Sequence, residues 1–458
     1  LQFKNGKTFC QPLRSSTLKS EDIYQPNFRT FLLIWSTQVL SMLGSEMTDF
    51  AITLWAWNIT GQATSLSLII FFNQLPRLIT TLFAGIIVDR CNRKLLMILG
   101  DAASGLSTLI IFLLFLTNHL EIWHIYAAAV ILGPFRHLQY FAFSTSISLV
   151  VPKQHYTRAV VMSEHIGQFS SNIIAPGLAG VLYYVIGLQG ILSVDIVTFI
   201  LAIATIFIVH IPQPVPSEAD LKGVKIWQDL TFGFRYIIQN SGLLSLLFFL
   251  FIFHSIDSIL FGIHSSFLLA RSGSNTAVFA SIQSAIGLGG LVGALGLSIW
   301  GGFKPRIHGL LLGLILHYSI MMAFSLANLP SIWMITGFLA SVFWPWVSSS
   351  NQVIWVAKVP PNVQGRVFTT RYLFTLIASP LGLAIAGPLA DNFFRPAMMP
   401  EGSLAPIFGS LFGTGSSSGM ALQYTIFSFL GVLLGLFGYT WQRLRNVESI
   451  VPDYDAGE

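Results

Sequence analysis

Within stretches that are otherwise apolar, the sequence places a few ionisable side chains at helical spacing. Glu46 and Asp49 stand three residues apart and therefore share one helix face. Two carboxylates so arranged suit a group that takes up and releases a proton; the alternative is that one of them simply pairs with Arg136 or Arg77. Arg77 and Arg136 are cations in the same kind of surroundings, and Gln139 follows Arg136 by one turn. Further along, His254, Asp257 and His264 fall within about one quadrant of a single helix. They could line a cavity, relay protons or serve as packing and hydrogen-bonding groups. A metal site would need further ligands that the sequence does not supply, so neither metal nor cofactor is expected. An ionisable group at mid-bilayer costs roughly 2.5–3.5 kcal/mol even on the mildest scale, so each one asks for a reason.

That these residues lie in a bilayer follows from composition. Of 458 residues, 53% are hydrophobic and 9% charged, against about 25% charged in soluble domains. Such a chain could not cover its own surface in water, which excludes a cytosolic enzyme, a nucleic-acid binder and a disordered chain. The net charge of +5 does not point to nucleic acid, because the cations sit mostly in loops. Cys10 and Cys91 allow at most one disulfide and match no metal-ligand spacing. Apolar segments separated by short polar breaks predict twelve membrane helices, at 29–57, 64–88, 95–117, 122–150, 159–184, 188–210, 242–269, 276–300, 307–328, 331–356, 365–391 and 419–443.

Lys and Arg set the orientation. With the N-terminus in the cytosol, twenty of the 24 fall on the inner side. Arg271 and Arg395 fall outside, and Arg77 and Arg136 within spans. An error of one span would reverse the sign of every later loop and destroy the bias, so both termini are expected in the cytosol. By helical rise, Arg136 and Arg77 stand roughly 20 and 18 Å from the inner ends of their helices, too deep to snorkel easily.

The expected organisation is a cytosolic tail (1–28), a six-helix bundle (29–210), a cytosolic linker (211–241), a second six-helix bundle (242–443) and a cytosolic tail (444–458). The 1–28 segment lacks the features of a cleavable signal peptide. In the linker, Ile226, Leu230, Phe234, Ile237 and Ile238 recur at helical spacing opposite polar residues, which predicts an amphipathic helix on the inner leaflet. The outward loop 392–419, rich in Gly, Pro, Ser and Met, either caps the outer mouth or simply connects. The bundles are internally related. Val151-Pro152 and Arg158 recur as Val359-Pro360 and Arg366, both at an offset of 208 residues. Two related halves are the plan of a secondary transporter, with substrate held near the bilayer midplane.

Three motifs carry a family resemblance. The first is the loop Gly85-Ile-Ile-Val-Asp89-Arg90-Cys91-Asn92-Arg93-Lys94; its second-half counterpart, Trp300-Gly-Gly-Phe-Lys304-Pro-Arg306, has no acid. The second is Leu132-Gly-Pro-Phe-Arg136-His-Leu-Gln139, with Tyr140 after it. The third is Ala175-Pro176-Gly177-Leu178-Ala179-Gly180. On these the chain resembles the major facilitator superfamily over about 28–445, and within it the branch of macrolide efflux pumps and the enterobactin exporter. The resemblance implies an all-α fold of two pseudo-symmetric six-helix bundles. It implies a gating latch at Gly85, Asp89, Arg90, Arg93 and Lys94, and proton coupling at Arg136 and Gln139. It also implies an exporter-type packing motif at Ala175, Pro176, Gly177, Ala179 and Gly180.

The expected function is export of an amphiphilic small molecule by proton antiport, with the bilayer and protons as partners, no nucleic acid, and a monomer sufficing. Trp35, Trp55, Trp57, Phe71, Phe72, Tyr140, Phe141, Phe261, Trp344 and Trp346 offer aromatic surface for such cargo, although many must face lipid. The expected location is a bacterial cytoplasmic membrane. An importer with the same fold, a non-transporting scaffold and an intramembrane enzyme are the alternatives. No Gly-x-x-x-x-Gly-Lys-Ser/Thr sequence supports a nucleotide-driven pump. The run Gly287-Leu-Gly-Gly290-Leu-Val-Gly293 lies in an apolar span with no strand before it and is expected to pack helices.

Overall fold

Satisfying every backbone polar group inside lipid leaves the helix as the simplest solution for a chain this apolar. The computed structural model describes residues 27–163, 173–212, 226–451 and 453, less a few side chains within them, and no strand occurs among these. The first helices are α1 (Phe28–Thr60), α2 (Ala63–Arg90), α3 (Arg93–Leu116), α4 (Ile122–Val150), the short α5 (Tyr156–Val161) and α6 (Ala175–Ile208). The remainder are α7 (Ile226–Gln239), α8 (Ser241–Arg271), α9 (Thr276–Trp300), α10 (Ile307–Leu326), α11 (Pro330–Lys358), α12 (Pro361–Leu389) and α13 (Ser416–Thr440).

Local signals fix many of these ends. Asn92 and Asn275 each cap a helix, accepting from the backbone N–H of Leu95 and Val278. Pro330 and Pro361 open α11 and α12, where a missing N–H costs nothing. Within α6, Gly187 adopts φ 63°, ψ −169°, which divides the helix into two segments. That break falls between the expected spans 159–184 and 188–210.

Nine described helices are long and apolar enough to cross a membrane. α1 and α4, which carry the polar residues of the candidate site, fall outside that set, and the expected span 159–184 runs through 164–172, outside the described residues. The nine do not reproduce the expected twelve one for one. The architecture is nonetheless that of an all-helical integral membrane protein.

The described residues group into two compact units. One comprises those of Leu1–Ala51 with Phe72–Lys225, and the other Ile52–Phe71 with Ile226–Glu458. The hairpin 52–71 thus groups with the second unit, whereas the sequence reading placed all of 29–210 in one bundle. The first unit has an apolar core around Phe31, Ile34, Val88, Met97, Ile147 and Ile206. In the second, Gly289 and Gly293 lie directly against the carbonyls of Phe338 and Val342, so the glycine run lets α9 meet α11 backbone to backbone. The amphipathic segment forms α7, packed on α12 with Ile237 fully buried and Phe234 stacked on Phe374. Ile226 and Leu230 of its expected apolar face have side chains outside the described residues. Segment 392–419 is folded, with a short helix at Ala405–Phe412 and Met398 buried; Gly415 N–H donates to the Met398 carbonyl at 2.8 Å.

Candidate functional site

In the first unit, α1, α3, α4 and α6 bring their polar residues into three groups. Arg136 of α4 donates through Nη1 to Oδ2 of Asp49 on α1 at 2.8 Å. This pair is open rather than sealed, with side-chain exposures of 29% and 46%. Glu46, one turn away on α1, lies within electrostatic reach of both partners. Two acids of α1 and one cation of α4 therefore lie within reach of one another.

Gln139 does not join that pair. Its Nε2 donates to Asp101 Oδ1 at 2.7 Å and to Gln38 Oε1 at 3.0 Å, while Gln38 Nε2 reaches Asp101 Oδ2 at 2.8 Å. Both oxygens of a nearly inaccessible carboxylate thus receive an amide N–H. Asp195 forms the third group, accepting from the hydroxyls of Thr108 at 2.8 Å, Thr48 at 3.1 Å and Ser45 at 3.2 Å. It ties α1, α3 and α6 together. Among the described residues Arg77 makes no ion pair; its Nε is buried without a hydrogen-bond partner, and it lies within electrostatic reach of His137. His137 is held by Thr81 at 2.8 Å.

The 85–94 motif is partly committed within its own unit. Arg93 is buried and donates to the Thr145 carbonyl at 2.9 Å. Lys94 Nζ donates to the carbonyls of Phe207 at 2.9 Å and Val209 at 2.8 Å, capping the end of α6. Arg90 is exposed, and the side chains of Gly85 and Asp89 lie outside the described residues. In the third motif Ala175, Ala179 and Gly180 are buried, with Pro176 and Gly177 half-buried.

In the second unit the three titratable residues of α8 go to separate partners. His264 meets Tyr424 through Nδ1 at 3.2 Å and Gln283 through Nε2 at 3.1 Å. Asp257 accepts from the Tyr318 hydroxyl at 3.5 Å. His254 lines a cavity of about 540 Å³ with Phe253, Trp344, Asn351 and Gln352. Trp344 is the one member of the sequence's aromatic set that lines it; Trp346 instead packs on Trp300, Phe303 and Phe343. No cluster of three metal-ligating side chains occurs among the described residues.

Sequence reading passed over several members of these groups. Gln38, Gln283, Tyr318 and Tyr424 are uncharged and had no pattern to mark them. Arg371 was counted among the inner-side charges, yet it sits ten residues into α12, about 15 Å along it by helical rise. In sequence Asp391 simply ends the expected span 365–391. Its carboxylate accepts from the backbone N–H groups of Ala63 at 3.2 Å and Thr64 at 2.8 Å, and from the Thr64 hydroxyl at 2.7 Å. It therefore caps the first turn of α2 within the second unit.

A polytopic helical chain with ionisable side chains among its apolar helices fits a membrane transporter, and the comparisons identify it as one. The Major Facilitator Superfamily matches residues 34–383, and the chain belongs to it. It is 27% identical to macrolide efflux protein A of Streptococcus pyogenes over 381 residues, covering 79% of this chain and 89% of that protein. It is 24% identical to the multidrug efflux pump Tap of Mycolicibacterium fortuitum, covering 79% of this chain and 89% of the pump. Among solved structures, a bacterial homologue of the human lysosomal transporter Spinster superposes with a TM-score of 0.68 at 15% identity, covering 94% of this chain and all of that one. A D-xylose–proton symporter superposes with a TM-score of 0.64 at 14% identity, covering 92% and 99%. At those identities the two structures speak for the fold alone.

Proposed function

We propose that this protein exports an amphiphilic small organic molecule by proton antiport, with alternating access and rocking of two six-helix bundles. The observation that carries this is the open Arg136–Asp49 pair with Glu46 beside it, a membrane-embedded acid cluster whose cation stays charged throughout. Protonation of Glu46 or Asp49 changes the charge that Arg136 sees, and so biases the same equilibrium that cargo biases. The efflux names of the relatives favour export over import. Arg77, Gln139, His254, Asp257 and His264 serve as cavity-lining or proton-relay groups, and Gly85, Asp89, Arg90, Arg93 and Lys94 as an inner-side gate. The protein works as a monomer in a bacterial cytoplasmic membrane with both termini in the cytosol.

Proteoliposomes with an imposed pH gradient test this. In the Glu46→Gln, Asp49→Asn double variant, gradient-driven cargo movement should fall at least tenfold while counterflow persists, and Arg136→Ala should behave likewise. Full coupled transport in the double variant would remove the assignment.

A further inference from the structure

Among the described residues, Arg371 is a cation with no carboxylate beside it. Its Nη2 donates to Gln352 Oε1 at 2.8 Å, and its guanidinium carbon stands 5.4 Å from the Trp355 ring centre and 5.2 Å from that of Phe368. These contacts hold the plane of the group, but none brings a negative charge. Its Nη1 is buried without a hydrogen-bond partner, and among the described residues Arg371 makes no ion pair. A desolvated guanidinium without a counter-ion is costly, and it is the side chain best shaped to take a carboxylate in two parallel hydrogen bonds.

The place where that charge is felt is the 540 Å³ cavity of the second unit. Gln352, which Arg371 grips, lines it, as does His254, which lies within electrostatic reach of Arg371. Asn351 lines it too, with a buried Oδ1 that has no partner. Phe253 and Trp344, whose rings lie 5.8 Å apart, line it as well. The volume is in the range of small-molecule sites, with an aromatic side and a few convergent polar groups.

We infer that this cavity is a binding site for an aromatic organic anion, its carboxylate drawn to Arg371 through the Gln352 wall and its ring against Phe253 and Trp344. Asn351 Oδ1 accepts an N–H or O–H of the same molecule. The inference deepens the export reading and rests on it for the meaning of the site, since it narrows an amphiphilic cargo to an acidic one.

Isothermal titration of the purified full chain with 1-naphthoate and its neutral counterpart 1-naphthamide tests the site without any gradient. The acid should bind at least tenfold more tightly than the amide. Arg371→Gln should bring the ratio close to one. So should Gln352→Glu, which leaves Arg371 in place but gives it an internal carboxylate; this variant serves if Arg371→Gln does not fold. Equal affinities in the unmodified protein, or an acid preference that survives Gln352→Glu, would overturn the proposal. Acid-selective binding with no gradient-driven flux would uphold the site and defeat the export reading. Gradient-driven flux with no acid preference would do the reverse.

Discussion

Asp195 and Asp49 show how differently two acids of one unit can be used. Asp195 is 2% exposed and receives three hydroxyls from two other helices, so its role is to hold α1, α3 and α6 in register. Removing its shortest donor by Thr108→Val should cost about 1–3 kcal/mol, the range for leaving a buried acceptor short of a partner. The expected outcome is a lower thermal unfolding midpoint in detergent with the stoichiometry of coupling unchanged. Asp49, nearly half exposed, is instead paired with Arg136 of α4. The sequence marked Glu46, Asp49 and Arg136 because charge in an apolar stretch is costly and therefore conspicuous. It could not mark Gln38, which is the third member of the Asp101–Gln139 group, because a neutral amide at mid-helix has no comparable signature. It singled out nothing about Arg371 for a related reason: a cation ten residues past the start of α12 reads the same in sequence whatever side chains surround it.

Helix ends were the least legible elements. The break at Gly187 was visible as a change between two apolar runs, whereas the cap on α2 was invisible, since Asp391 and Thr64 are 327 residues apart in sequence. That cap combines a carboxylate at the positive end of a helix with a close approach of backbone, for a side chain at Gly387 would strike Thr64. Arg395 of the neighbouring turn donates to the Gly61 carbonyl at 3.2 Å, so the same short stretch satisfies both a donor end and an acceptor of the 52–71 hairpin. Replacing Asp391 with Ala should release the first turn of α2, at a cost of about 0.5–2 kcal/mol. Amide hydrogen exchange at residues 63–67 should then speed up severalfold, with Asp391→Asn intermediate, while exchange in α3 stays as it was. Uniform acceleration across both units would instead mean that Asp391 holds more than this helix end.

For the molecule as a whole, the expectation with most at stake is the orientation read from Lys and Arg, because it depends on the number of spans rather than on their boundaries. Single cysteines at Ser274 and Gly413, in a background without Cys10 and Cys91, should react with an impermeant thiol reagent added outside whole cells. Cysteines at Asn240 and Arg445 should react only after the membrane is opened. The opposite pattern would invert the topology and every role assigned from it. The same cations also have a second fate in the folded chain. Arg93 lies buried against the Thr145 carbonyl, and Lys358 is 4% exposed, donating to the Glu448 carbonyl and paired with Asp453. Arg371 is turned toward Gln352. Cations that the sequence reading assigns to the inner side, Arg93 and Lys358 among them, thus find their partners within the fold. The exposed basic surface is therefore smaller than the amino-acid tally implies.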